Sequence, residues 1–245
     1  MIDAQQKLLK KGSFLRLLKI KTRREINLKF SISCLDNGVH YIPVWIDDVK
    51  MFDDDILNSQ ILALNEDISK LELEIKNFQN KLLANAKLKS ILYTSGEELV
   101  KVVFEILEKI LDIDLSSFTD IKNEDFLVNF DGNVLVGEIK GVSSNIKSSH
   151  VSQVDVHLQN YLDNNAEDLS QSVKALLIIN HQRQKNIIDR EPVHQKQIDL
   201  AVRNNCLIIE TYSLLLLFEE FINNEISTEE VKELLFNNTG LFNNN

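Results

Sequence analysis

The clearest pattern in the chain is a run of apolar residues spaced alternately by four and three positions. Its members are Leu57, Ile61, Leu64, Ile68, Leu71, Ile75, Phe78 and Leu82. This is the a/d spacing of a coiled-coil seam, and Ile at a with mostly Leu at d favours parallel two-stranded coils. In a parallel pair, however, Asp67 at g would face Glu72 at e and repel it. The sequence therefore predicts a long helix over 55–92 that pairs antiparallel or folds back on its own domain.

From residue 93 onwards the pattern alternates between helix and strand. Apolar residues at helical spacing predict a helix over 95–111, with Ser95 and Glu98 as its capping box. The stretches EDFLVNF and NVLVGEIK have the character of strands, and Asp131-Gly132 between them is a hairpin turn. The elements predicted after the hairpin are a helix at about 148–163, a strand at 173–180, a helix at about 193–204, a strand at 206–210 and a helix at about 213–223. This order predicts an α/β fold, a mixed central sheet with helices on its faces.

Two shorter segments flank these elements. Residues 25–34 and 39–46 are rich in β-branched and aromatic residues around the turn at 36–38, which predicts a small hairpin. Near the other end, Ser227 and Glu230 form a capping box for a short C-terminal helix. The predicted regions are a basic arm with the small hairpin (1–54), the heptad helix (55–92), an α/β domain (93–224) and a C-terminal helix with an Asn-rich tail (225–245).

Composition narrows the class of protein. The chain has 245 residues, and a hydrophobic content of 44% is enough for a real core. No run of 18 apolar residues occurs, so we expect no membrane span. Cys34 and Cys206 are too few for a disulfide framework, and neither has zinc-site spacing. The expected compartment is a reducing cytoplasm.

The charge is unevenly distributed along the chain. The net charge of −10 is unfavourable for nucleic-acid binding. Residues 1–30, however, hold nine Lys or Arg against two acidic residues, which gives +7 there and −17 elsewhere. A basic arm on an acidic body could contact phosphate, although a solvated tail or helix face explains the same charge.

The tripeptide Glu-x-Lys occurs three times, at 74–76, 138–140 and 230–232. The first lies on the heptad helix, where Glu74 at g and Lys76 at b belong to a solvated face. In the third, the glutamate has a capping role. The second differs because GEIKG lies on a strand of the predicted hairpin. Its two glycines would let another backbone or a ligand approach closely.

The hairpin register predicts a cluster of charges around this second triplet. With an even loop, Asp125 faces Glu138, and Lys140 points to the same face. Two facing carboxylates repel unless a cation neutralises them, and Mg²⁺ prefers one or two carboxylates with water and phosphate. The alternative is a half-exposed hairpin in which Lys140 simply pairs with Asp125 or Glu138. A three-residue loop would break the register.

A helix, an acidic pair on a strand, a hairpin into GEIKG and a helix with glutamine together resemble the PD-(D/E)xK nuclease superfamily, which has the restriction-endonuclease-like fold. The resemblance covers about residues 93–223. It implies that the metal-binding acid is Asp125, that the (D/E)xK pair is Glu138 and Lys140, that the Ile139 carbonyl is a further metal ligand and that the helix glutamine is Gln153. The superfamily's proline before the acid is absent, since Asn123-Glu124 stand there.

The resemblance implies an endonuclease that hydrolyses DNA phosphodiester bonds with Mg²⁺ or Mn²⁺. The stretches IINHQRQ, REP and ETYSLL stand in a similar order in nuclease-like proteins of bacterial defence, which implies a role in anti-phage defence or restriction. Expected partners are DNA and, through residues 57–82, a second copy or another protein. The alternative is a catalytically inactive nuclease-like module that binds a partner through the heptad helix. Walker A, GxGxxG and GxSxG motifs are absent, which argues against a nucleotide motor or a serine hydrolase.

Overall fold

The computed structural model describes residues 43–115, 126–130, 132–165 and 172–243. The chain divides into two compact units, residues 1–74 and 75–245. Most of the hairpin predicted at 25–46 lies outside the described residues. Residues Val44–Asp48 form a short 3-10 helix, so the strand predicted there is wrong for positions 44–46. Pro43 precedes this turn and two aspartates end it, and these residue types are unfavourable in strands.

From residue 54 onwards, the helices and strands follow one another in the order that the sequence predicts. The helices are α1 (Asp54–Lys89), α2 (Glu97–Leu111), α3 (Ser148–Asn164), α4 (Gln195–Arg203), α5 (Thr211–Ile222) and α6 (Thr228–Asn237), with short 3-10 turns at Ser90–Leu92 and Ile187–Asp189. The strands are β1 (Phe126–Phe130), β2 (Asn133–Gly141), β3 (Ser172–Asn180), β4 (Cys206–Glu210) and β5 (Gly240–Leu241).

The strands form one sheet in the order β1-β2-β3-β4-β5. β1 pairs antiparallel with β2, and the other neighbours are parallel. The predicted fold class, a mixed sheet flanked by helices and preceded by a long helix, is confirmed. β5 was not predicted, because two residues are too few to carry a hydrophobic period.

Helices cover both faces of the sheet. α2, α5 and α6 pack on one face together with β2 residues Leu135 and Ile139. α3 and α4 pack on the other face with Val134 and Val136. Because side chains alternate along a strand, Glu138 shares the face of α3 and α4.

Helix α1 contains no buried residue. Its 36 residues correspond to a rod about 54 Å long. Asp54 and Asp55 lie in its first turn and Lys87 and Lys89 in its last, the arrangement that the helix dipole favours. Among the described helices, none has both the length and the apolar content needed to cross a bilayer.

The two predicted capping boxes have different outcomes. At α6, the N–H of Ser227 donates to Glu230 Oε2 at 2.9 Å and the N–H of Glu230 donates to Ser227 Oγ at 3.3 Å, so that box is confirmed. At α2 the N-cap is Gly96, with φ of 60° and no side-chain cap, so the box of Ser95 and Glu98 is wrong. Ser95 instead packs against Gly141, where an added Cβ would lie 2.6 Å from the serine Cβ.

Candidate active site

The hairpin of β1 and β2 has the register that the even loop predicts. Phe126 pairs with Gly137, Val128 with Leu135, and Phe130 with Asn133. Asp125, the residue before β1, lies outside the described residues. Its position opposite Glu138 therefore stays a prediction, although the register of the neighbouring pairs is the one that it requires.

Gly137 holds this register through its contact with Phe126. A Cβ on Gly137 would lie 1.9 Å from Cζ of the Phe126 ring, so the ring occupies the space above the glycine. The same ring packs edge to face on Phe104, with centroids 5.7 Å apart. The glycines of GEIKG thus admit the chain's own residues, Phe126 at Gly137 and Ser95 at Gly141, in place of a ligand.

Glu138 is fully buried, with 0% of its surface exposed. Its Oε1 forms an ion pair with Lys140 Nζ, and its Oε2 lies 3.2 Å from Nδ1 of His157. Lys140 keeps 32% of its side chain exposed. The contact between Lys140 and Glu138 is one that the simple-pairing alternative also predicts. The half-exposed hairpin of that alternative is not present, because the carboxylate lies entirely in the interior.

Three polar residues of α3 lie along one stripe of the helix. His150, Gln153 and His157 follow the spacing i, i+3 and i+7, which places them on one helix face. His157 contacts Glu138, and Lys140 acts electrostatically on His150. Gln153, half-buried between them, belongs to the face that borders these residues. Its predicted catalytic role stays a prediction.

The sequence did not identify His157 as a site residue. None of the histidines has metal-ligand spacing, and this criterion gave His157 no role. The signal that would have identified it is its spacing. His157 lies four residues, about one helical turn, after Gln153, so both residues share one face of the predicted helix.

His150 lies at the positively charged side of this site. Burial, followed by the charges of Lys140 and Lys147, lowers the pKa of His150 below its ordinary value of 6.5. The N–H of Lys147 donates to His150 Nδ1 at 3.2 Å. The imidazole is therefore neutral at neutral pH and carries its proton on Nε2, which makes it a donor.

A hydrogen-bonded network begins one residue beyond Lys140, where Gly141 pairs with Asn180. Asn180 Nδ2 donates to the Thr94 carbonyl at 2.9 Å, and Asn180 Oδ1 accepts from Arg190 Nη1 at 3.0 Å. Arg190 Nη2 also donates to the Leu92 carbonyl at 2.6 Å. This network holds the segment before α2 against the end of β3.

Another polar contact lies where β3 and β4 end. The Nε2 atom of His181, which is almost fully buried, is in hydrogen-bond contact with the carboxylate of Glu210. Gln182 adopts a left-handed φ of 48°, and its Nε2 donates to the Glu191 carbonyl at 3.0 Å. These residues stand in the stretches IINHQRQ, REP and ETYSLL, but the sequence analysis gave them no individual roles because their contacts depend on the order of the strands.

The predicted metal ligands are only partly described. Within 43–115, 126–130, 132–165 and 172–243, no three His, Cys, Asp or Glu side chains gather as a metal cluster. Asp125 lies outside this range. The Ile139 side chain packs in the core on the opposite face from Glu138, and the role of its carbonyl stays a prediction. Glu138 carries the carboxylate oxygens that Mg²⁺ prefers, and both of them contact Lys140 or His157 in this structure, so a bound ion would take over at least one of these contacts.

Comparison with known proteins gives little further information. No protein-family model matches the chain. No curated protein matches it either. Among solved structures, the chain is similar to the restriction endonuclease FokI, with a TM-score of 0.46 and 15% identity over 64% of this chain and 30% of that chain. Likeness at this level does not assign a function, so the proposal that follows rests on the chain's own residues.

Proposed function

We propose that the protein is a metal-dependent endonuclease that hydrolyses phosphodiester bonds of DNA. The observation that carries the proposal is Glu138, a fully buried carboxylate of β2 whose two oxygens contact Lys140 and His157.

A structural role alone does not explain this arrangement well. Moving a carboxylate from water into the interior costs several kcal/mol, and well-packed apolar residues often replace buried ion pairs without loss of stability. Val134 and Val136 fill the preceding positions on the same face of β2. A buried charge in place of a third apolar residue is therefore more consistent with chemistry than with packing.

The proposed ligands of the metal are the Glu138 carboxylate, the Asp125 carboxylate and the Ile139 carbonyl. When bound, Mg²⁺ or Mn²⁺ would lower the pKa of a coordinated water and neutralise charge on the phosphate. Lys140, with part of its side chain exposed, reaches solvent and is placed to donate to a phosphate oxygen or to orient the attacking water. His150 Nε2 and the Gln153 amide supply further donors along the same helix face.

Local charge supports an anionic substrate. Lys140, Lys147 and His150 lie close enough for the two lysines to affect the histidine's pKa. This positive area lies on a chain whose net charge is −10, and a local field of one sign raises the concentration of phosphate beside it. Double-stranded DNA is the substrate that we propose. Anti-phage defence or restriction in the cytoplasm is the proposed setting, supported by the order of IINHQRQ, REP and ETYSLL.

A plasmid-nicking assay with Mg²⁺, Mn²⁺ or EDTA tests the activity. Lys140→Ala should lower the cleavage rate roughly 100- to 1000-fold, the usual cost of removing one charge-stabilising donor. The matched control is Lys76→Ala, which changes the lysine of the identical EIK triplet on the exposed helix α1 and should leave the rate unchanged. Cleavage by Lys140→Ala at the wild-type rate would refute the assignment. Incubating the protein with a labelled RNA of the same sequence shows whether it cleaves RNA as well as DNA.

The second candidate function is a catalytically inactive module that binds a partner protein. The observation in its favour is α1, whose apolar seam is exposed along its whole length. Metal-dependent cleavage by the purified chain would exclude this candidate.

A further inference from the structure

The heptad seam of α1 is an uncovered apolar surface. Its eight residues, Leu57 to Leu82 at a and d, each expose between 46% and 67% of their surface. Soluble proteins rarely leave a continuous apolar stripe of this length open to water, and such stripes mark interaction sites. At about 100 Å² of exposed surface per residue, two such seams would bury on the order of 1,600 Å² together, the size of a standard stable interface.

The charge of α1 changes sign along its length. Residues 54–74 contain six carboxylates and one lysine, a net charge of −5. Residues 75–89 contain four lysines and no carboxylate, a net charge of +4. A parallel copy would place acidic beside acidic and basic beside basic. An antiparallel copy would place the basic end of each helix beside the first turn of the other, which contains Asp54 and Asp55.

The spacing of the seam residues is the same when it is counted from either end of the helix. In an antiparallel pair, a positions of one helix form layers with d positions of the other. The layers are Leu57 with Leu82, Ile61 with Phe78, Leu64 with Ile75, and Ile68 with Leu71. Every seam residue therefore finds an apolar partner in a single register. In that register Asp53, Asp54 and Asp55 lie level with residues near the second copy's Lys87.

We propose that α1 binds α1 of a second copy of this chain as an antiparallel two-stranded coiled coil. Glu66, Asp67, Glu72 and Glu74 come together near the two-fold axis of this pair and repel one another there, so the apolar layers and the charged ends must hold the pair against this repulsion. The proposal is independent of the nuclease activity, because it concerns residues 54–89 alone.

Measuring the mass in solution is the first test. By light scattering at about 1 to 100 µM, the range where a standard interface is occupied, we expect twice the chain mass of 28.2 kDa. Ile68→Asp with Ile75→Asp should give the monomer mass, because each replacement puts a charge into the apolar seam. Ser59→Asp with Ser69→Asp adds the same charges to exposed positions off the seam and should stay dimeric. A monomeric wild type throughout this range overturns the proposal.

Cross-linking determines the orientation. In a Cys34→Ser background, a size-tagged Leu64→Cys chain is mixed with an untagged Ile75→Cys chain and treated with a short bis-maleimide. Cys206 is buried, and burial raises the pKa of its thiol to about 12, so it does not react. The antiparallel pair should link position 64 to position 75, since two copies of position 64 would lie about 16 Å apart. Links between two tagged Leu64→Cys chains, without the mixed product, would show a parallel pair and overturn the orientation.

Discussion

Replacing Glu138 with glutamine separates the structural from the metal-binding role of this buried carboxylate. The amide keeps the size and one acceptor oxygen but removes the negative charge beside Lys140 and His157. Removing one member of a fully buried ion pair costs about 3–5 kcal/mol. Because the Lys140 side chain is one-third exposed, water solvates its ammonium group once the carboxylate is gone. We therefore expect the free energy of unfolding to fall by about 1–3 kcal/mol. At 2–4 °C per kcal/mol for a chain of this size, the melting temperature should fall by about 2–12 °C without metal.

Mg²⁺ should act on the wild type and the variant differently. An ion at 100 times its Kd stabilises the folded state by about 2.7 kcal/mol, which corresponds to about 5–11 °C in melting temperature. Glu138→Gln should lose this increase, so the difference between the two proteins should widen when Mg²⁺ is added. Glu74→Gln changes the glutamate of the identical triplet on α1 and should retain the whole increase.

Differential scanning calorimetry of the full chain, with EDTA and with millimolar Mg²⁺, measures the melting temperatures of the wild type, Glu138→Gln and Glu74→Gln. An equal Mg²⁺-induced increase in wild type and Glu138→Gln would place the ion elsewhere. Absence of an increase in the wild type, up to 10 mM or so, would refute metal binding in the range where Mg²⁺ enzymes work.

Three further changes probe the surroundings of the site. Gly137→Ala drives a methyl group into the ring of Phe126, so we expect a loss of about 1–3 kcal/mol in urea unfolding together with reduced cleavage, and an unchanged midpoint would contradict the packing argument. Asn180→Ala leaves a guanidinium and a buried carbonyl without their partner, which should cost roughly 1–3 kcal/mol for each group in the same assay. Hydrogen bonds from Ser227 lower the pKa of Glu230, so this stabilisation is complete above the unfolded pKa near 4.5 and is lost as the pH falls through the folded pKa. The melting temperature of Glu230→Gln should accordingly lie below that of wild type at neutral pH and approach it in acid.

The sequence predicts the hairpin correctly because its information is local. Asp131-Gly132 defines the turn, and alternation along β1 and β2 then fixes which residues pair. The contact of His157 with Glu138 was not predictable in this way. It depends on how α3 is rotated and positioned on the sheet, and many residues distant in sequence determine that packing.

The capping error at α2 has a similar physical origin. Ser95 and Glu98 satisfy the local rule for a capping box, but the left-handed conformation of Gly96 and the contact of Ser95 with Gly141 favour another start for the helix. Tertiary packing overrode a preference of about 1 kcal/mol, the usual size of a capping contribution. For α1 the sequence predicts the seam, but the structure of a single chain does not show what covers it.

The contact of Phe126 with Gly137 lies on the face of the sheet opposite Glu138. Through this contact, the packing of the core determines how closely β1 and β2 approach beside the proposed site. A bulkier residue at position 137 would push β1 along or away from β2, and with it the residue that precedes Phe126. A smaller side chain at position 126 would make room for such a change. Positions 126 and 137 should therefore vary together among natural relatives. Laboratory evolution at these two positions alone should adjust the predicted spacing between the carboxylates of Asp125 and Glu138 while leaving every polar residue of the proposed site unchanged.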